Sequence, residues 1–372
     1  MTDSADIRSP AELLYAGPDP RVVRIGVLVP MSGVLGLTGP SGLAYAELAA
    51  REFNAAGGAH GRPMELVPVD AGQPATHVVS AVRALVDSCL VDALVGFHTS
   101  DVRRAVDTAI GGRVMSVFTP PHEGGPVAAR AVRLGESPAA QLIPTMRWLH
   151  EHRHIRRWAL VGNDYIWPQA MHRTARRVVG QLYGDVVFDR LVPVGVLHLD
   201  RLLHGLDAAR PDAVVVSLVG SDLVAFNRAF RAAGLDRRMI RLSGSLEENC
   251  LLASGGDDGG ELYACMRSLP SIADPRHEDL AAAADRAFGP TAPPLDAYAE
   301  GCYDGVHLAG AMARTGNLTA ATATVVAHHM VSTPRGTDVA DFWRGTPLGA
   351  PSRRMNLAVA DGLDLRVVAT FD

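Results

Sequence analysis

"DALVGFHTSDVRRAVDTAI", residues 92–110, decides how this chain is read. Its first half is a near-continuous apolar run, Asp92 to His98. Its second half, 101–111, repeats apolar residues at helical spacing. Strands of this kind, unbroken by polar alternation and followed directly by a helix, belong to parallel sheets covered on both faces.

The same unit recurs on either side. "VRIGVLVP" (23–30), "PMELVPVDA" (63–71) and "RVMSVFTP" (113–120) read as further strands, with helices over 40–56 and 76–89 between them. A second set begins after "AVRLGESPAA". Its strands are 157–164, 185–194, 212–220 and 239–245, and its helices fall near 138–152, 168–183, 199–209 and 222–234. One more strand, "ELYACMRSL", precedes helices from Asp296 to about Arg314 and over 319–331. The end, "RRMNLAVADGLDLRVVATFD", is a hairpin about an Asp-Gly turn.

The pattern predicts an α/β protein of two doubly wound parallel-sheet lobes joined by a multi-strand hinge, with a ligand cleft between them. The expected division is 22–120 with 264–330 for the first lobe and 121–263 with 331–372 for the second. Residues 1–21 are an irregular N-terminal segment, and crossings fall near 118–134, 245–268 and 330–335. Ligands of such sheets bind beyond the carboxyl ends of the strands, so residues there are the site candidates.

Composition narrows the function. A chain of 372 residues exceeds one ordinary core. Its net charge of −5, with all 35 basic residues arginine, gives no footprint for direct nucleic-acid binding. The N-terminus lacks a basic segment followed by an apolar one, and no apolar run suffices to span a bilayer. A cytoplasmic location is therefore expected, or a periplasmic or extracellular one if a leader has been removed. Cys89, Cys250, Cys265 and Cys302 lack metal spacing and read as free, buried thiols.

Several loops carry polar or aromatic groups at strand ends. "GVLGLTG" (33–39) has three glycines before a helix, but the spacing is not that of a dinucleotide fold, and a cleft-edge loop is the stronger reading. In "GFHTS", Ser100 has N-cap chemistry; alternatively the hydroxyls of Thr99 and Ser100 bind a ligand oxygen, with His98 facing the same space. In "FTPPHEGG", Phe118 is core or cleft, and His122 and Glu123 either pair or meet the ligand. His150, His152 and His154 alternate near a helix end and do not share a helix face. "GNDYIWP" places Tyr165 and Trp167 just past a strand, as pocket wall, with Pro168 in the first helical turn. "SGSLEEN" offers Ser245, Glu247 and Glu248, but no nucleophile pairs with them. No G-x-S-x-G, HExxH or GxxxxGK[ST] motif is present. Binding without catalysis is expected, with no cofactor and no metal.

"IGVLVPMSG", "AYAELAAREFNAAGGAHGRPMELVPVD" and "VDALVGFHTSDVRRAV" resemble the type I periplasmic-binding-protein family, in its Leu/Ile/Val-binding branch. "GNDYIWP", "SLVGSDLVAFNRAF" and "DAYAEGCYDGVHLAG" are similar to the subgroup of cytoplasmic amide sensors and of urea- and short-amide-binding transporter components. The resemblance covers about residues 22–330 and implies a ligand set. Ser100 would bond the ligand's oxygen, and His98 stands where the amide sensor has an aromatic residue. Phe118, Thr119, Pro120 and Pro121 follow the fourth strand, with two hydroxyls lost relative to the sensor. Tyr165 and Trp167 are the paired aromatics. From the second lobe come Ser221, Asp222 and Glu247 or Glu248, acids near there serving the ammonium group in amino-acid binders.

The function this implies is a cytoplasmic sensor that closes on an amide, urea or related small polar ligand and captures or releases an RNA- or DNA-binding regulatory partner. The alternative is the substrate-binding component of an ABC importer for amides, urea or branched-chain amino acids, docking on a permease. Neither requires membrane insertion, and a homo-oligomer is compatible with both.

Overall fold

The computed structural model describes residues 6–128, 130–269, 271–272, 275–315 and 354–371. In the first lobe, strands β1 (Asp6–Ile7), β2 (Val23–Val29), β3 (Met64–Asp70), β4 (Ala93–Gly96), β5 (Met115–Phe118) and β6 (Ala131–Arg133) form one sheet. Their order is β1-β3-β2-β4-β5-β6, and every pairing is parallel. Helices α1 (Pro10–Ala16), α2 (Gly39–Ala55), α3 (Ala75–Asp87) and α4 (Ser100–Ile110) cover it. All seven residues of β2 are buried, which is why its run is apolar except for Arg24, whose guanidinium is paired with Glu65 of β3 at 2.7 Å. Helix α4 buries Val102, Val106 and Ile110 on one stripe and ends where Gly111 turns left-handed and bonds back to Asp107.

The second lobe carries β7 (Arg157–Asn163), β8 (Asp185–Val192), β9 (Ala213–Ser217), β10 (Ile240–Ser243), β11 (Leu262–Met266), β12 (Met355–Asp361) and β13 (Asp364–Phe371), in the order β13-β12-β11-β10-β9-β7-β8. Five strands are parallel; β12 and β13 are antiparallel, so this sheet is mixed. Its helices are α5 (Pro138–Arg153), α6 (Ile166–Gln181), α7 (Leu199–Ala209), α8 (Gly220–Ala232) and α9 (Glu248–Ser254). Helices α10 (Pro275–Phe288) and α11 (Ala297–Thr315) return to the first lobe, where Leu280, Ala299, Val306 and Met312 join the core of Val27, Tyr45 and Phe53.

Several boundaries differ from the expected ones. The segment before residue 21 is not wholly irregular: β1 pairs with β3, Ser9 caps α1, and Arg24 reaches the carbonyl of Gly17. Strand β6 pairs with β5, so the first lobe extends past residue 120; three residues are too short an apolar run to stand out. Strand β11, which straddles 263/264, belongs to the second sheet because it pairs with β10 and β12. The crossings therefore lie between Arg133 and Pro138 and between Met266 and Pro275. They are tied together: Glu136 accepts the Arg267 N–H (3.1 Å), and Asn356 of β12 donates to the Arg267 carbonyl (2.7 Å). The expected crossing at 330–335 and helix at 319–331 lie outside the described residues. Cys250, Cys265 and Cys302 are buried thiols, whereas Cys89 is exposed.

Candidate functional site

Strand β4 stops at Gly96, two residues earlier than its apolar run suggests, and this releases Phe97 and His98 into the space beyond the sheet. The ends of β5, β7 and β9 open onto the same space. The result is a narrow cleft between the lobes, tightly closed over its aromatic wall. Leu35, Phe97, His98, Ser100, Pro120, Pro121 and Tyr298 line it from the first lobe, and Tyr165, Trp167 and Val219 from the second. The lobes meet beside it: the Ser221 N–H donates to the Val34 carbonyl at 2.9 Å, and Asn249 Nδ2 donates to Asp296 Oδ2 at 2.5 Å.

Each wall residue has a local reason for its place. Tyr165 is the N-cap of α6 and Trp167 lies in its first turn, where Pro168 is tolerated because no intrahelical donor is needed there. Their rings sit 6.4 Å apart, and both also belong to the core under β7. Tyr298 lies in the first turn of α11, held by Asp296, whose carboxylate accepts the N–H groups of Tyr298 and Ala299. Its ring stacks on Phe97 at 4.9 Å. His98 packs against Phe118 at 5.2 Å, with its Nδ1 3.3 Å from the Thr99 carbonyl, an arrangement that assigns the proton to Nδ1. Burial pushes the His98 pKa down to about 4, aided by the charge of Arg103 and opposed by the Thr99 bond, so the ring is neutral at pH 7.

The Ser100 hydroxyl and Trp167 Nε1 are buried and have no hydrogen-bond partner at standard distance. The Glu123 carboxylate lies close enough to Ser100 to feel the hydroxyl. Its Oε1 is held by Arg103 and Arg104, which leaves Oε2 on the Ser100 side, and the residue does not line the pocket.

The other sequence candidates lie around the pocket rather than on it. Thr99, half-buried, is the N-cap of α4, so the cap sits one residue before Ser100. Phe118 backs His98 and receives the Arg103 guanidinium over its ring at 5.4 Å. Thr119 is buried against Gly301 and Gly305 of α11. Ser221 is exposed, its backbone serving the interlobe contact. Asp222 is buried, accepting from Asn163 Nδ2 (2.6 Å) and the Gly195 N–H (2.8 Å), which braces the ends of β7 and β8. Glu247 caps α9 through the N–H groups of Asn249 and Cys250. Among the helical histidines, His150 bonds the Ile155 carbonyl and His152 stacks on Trp148.

Residues not singled out from the sequence are Leu35, Phe97, Val219 and Tyr298. Phe97 was concealed by its strand-like apolar run. Tyr298 stands inside a helix pattern, where only the Asp296 cap signal marks its end as facing a strand edge.

Behind Tyr298 lies an acidic group: Glu247, Glu248 and Asp296. Burial raises all three, Glu247 to about 8 and Asp296 to about 6, with Glu248 well above its ordinary range and further raised by its two neighbours. Neither Glu248 oxygen has a hydrogen-bond partner. Raised carboxyl values mean that the folded protein holds protons which the unfolded chain releases above about pH 4.5. Stability is therefore expected to fall as pH rises from about 5 to 8. Glu248→Gln, uncharged throughout, should stabilise the protein at pH 8 by roughly 1–3 kcal/mol and flatten that slope. Urea unfolding at pH 5 and pH 8 measures both; an unchanged slope would contradict the assignment.

Two α/β lobes enclosing a pocket beyond their strand ends define a two-lobed ligand-binding protein. Residues 22–362 match the family described as periplasmic binding protein, and the chain belongs to that family. Solved structures similar to it include a fatty acid ABC transporter substrate-binding protein from Thermomonospora curvata, at 18% identity and TM-score 0.79, covering 95% of this chain and 93% of that one. An amino acid ABC transporter substrate-binding protein from Pseudomonas fluorescens Pf-5 matches at 17% identity and TM-score 0.75, over 94% and 95% of the two chains. A solute-binding protein from R. palustris in complex with benzoate matches at 16% and 0.73, over 94% and 96%. At these identities the likeness is one of fold. Among the described residues no helix is long and apolar enough to cross a membrane, and no cluster of three or more His, Cys, Asp or Glu is placed to hold a metal.

Proposed function

We propose that this chain is the solute-binding component of an ABC importer, working outside the cytoplasmic membrane and delivering a small molecule with an aromatic or other apolar body to a permease. The observation that carries this reading is the interlobe pocket, whose wall combines five aromatic rings, two prolines and few polar groups. The similar structures, all described as ABC transporter or periplasmic binding proteins, support the same role. That support places the importer ahead of the cytoplasmic sensor with its regulatory partner. The wall also fits short amides, urea and branched-chain amino acids less well than a flat apolar body, because small polar solutes leave aromatic faces unmatched. Binding proceeds by lobe closure without turnover, a ligand shifting the lobes only as far as it prefers the closed form.

Deletion of the gene tests the proposal. Uptake of the ligand that best stabilises the purified protein should fall to background and return with the wild-type copy. Normal uptake accompanied by loss of a ligand-dependent change in gene expression would favour the sensor instead.

A further inference from the structure

The pocket wall holds no charged side chain. His98 is its one titratable group with a pKa near neutrality in the free residue, and burial keeps it uncharged at pH 7. The nearest cation behind it, Arg103, is already paired with Asp107 and Glu123. Arg104 is likewise on Glu123. An anionic ligand would thus leave water without meeting a free cation, and buried charges require a partner. An ammonium group fares no better: Glu123 is on Arg103, Glu247 caps α9 behind Tyr298, and Asp101, beside Tyr165, is engaged by the Ile166 N–H.

The wall does hold unmatched hydrogen-bonding groups. Trp167 is 3% exposed and its Nε1 has no partner; Ser100, 2% exposed, has only the Glu123 carboxylate beside its hydroxyl, beyond standard hydrogen-bond distance. Native proteins rarely leave buried donors in this state, and a ligand oxygen is the natural acceptor where the donors belong to a pocket wall. With Nδ1–H directed to the Thr99 carbonyl, His98 retains Nε2 as an acceptor for a ligand donor.

We propose that the pocket selects an uncharged, planar ring-bearing ligand with a hydrogen-bond-accepting oxygen, and that Trp167 determines this specificity through its indole N–H as well as its ring. This rests on the reading of the chain as a solute-binding component. It separates the ligand class from the aromatic carboxylate bound by the R. palustris protein.

The test is calorimetric titration at pH 7 with three probes of matched size: benzamide, benzoate and benzylammonium. Benzamide should bind at least tenfold tighter than either ion. Trp167→Phe, which keeps an aromatic ring and removes the N–H, should weaken benzamide about 10- to 50-fold while the protein stays folded with a lower unfolding midpoint, and Ser100→Ala should weaken benzamide in the same direction. The proposal is overturned if either ion binds as well as benzamide, if Trp167→Phe leaves the affinity unchanged, or if none of the three binds at millimolar concentration. A charged probe that binds and closes the lobes removes this inference while leaving the importer component intact. Unimpaired uptake after gene deletion removes the broader reading instead.

Discussion

Gly220→Ala is expected to weaken ligand binding by about 100-fold or more, roughly 3 kcal/mol, while the lobes remain folded. Gly220 opens α8 with φ +50°, and a Cβ placed there would lie 2.0 Å from the Val34 carbonyl oxygen and 3.1 Å from the Leu35 Cα. Those atoms are backbone of the opposite lobe, so no rotamer relieves the overlap. The loop must retreat, breaking the bond from the Ser221 N–H to the Val34 carbonyl and withdrawing Leu35 from the pocket wall. An L-residue at this φ adds about 1–2 kcal/mol of local strain. That strain also acts on the open form, whereas the clash acts only when the lobes meet. The closed population should therefore fall, and apparent affinity with it. Titration of the variant measures the loss; wild-type affinity would show that closure does not bring these two loops together.

Asp257→Ala should destabilise the protein by about 3–5 kcal/mol. Its partner, Arg241 of β10, is fully buried, with Nη2 2.6 Å from Asp257, Nη1 3.1 Å from Asn227 Oδ1, and its guanidinium over the Phe230 ring at 4.9 Å. Removing the carboxylate leaves a cation in the second core with only neutral contacts. Asp257 also exchanges backbone hydrogen bonds with Gly362, fixing the β12–β13 turn against the end of α9. Replacing both partners, Arg241→Met with Asp257→Leu, should recover most of the loss, because the penalty lies in the unpaired charge rather than in the absent bond. Denaturant unfolding of the three forms gives the comparison, and a loss below 1 kcal/mol for the single variant would contradict the account.

The parallel strands were legible because burial on both faces leaves almost nothing polar in β2, β4, β7 and β9. What escaped notice was short or mixed. Strand β6 is only Ala131–Arg133, and α9 spans just seven residues, with Glu248 buried in its first turn. The wall of the candidate site was legible where a residue type was out of place, as with Tyr165 and Trp167 beyond a strand. It was not legible where the wall is made of ordinary core residues such as Leu35, Phe97 and Val219, which become wall only because two lobes meet there. Conversely, Asp222 and Glu247 stand at strand ends with the right chemistry, but their carboxylates are satisfied by local backbone and Asn163. Sequence position locates the cleft; only the hydrogen-bond pairing separates residues that brace it from those that remain available.

Closure of the two lobes on a ligand held between Trp167 and His98 is the centre of the account. Small-angle scattering before and after saturation with the tightest-binding ligand tests it most directly. The radius of gyration of the wild-type protein should decrease on binding, and that of Gly220→Ala should remain at the unliganded value. Saturable binding with no change in the wild-type radius, or equal compaction in the variant, would contradict it.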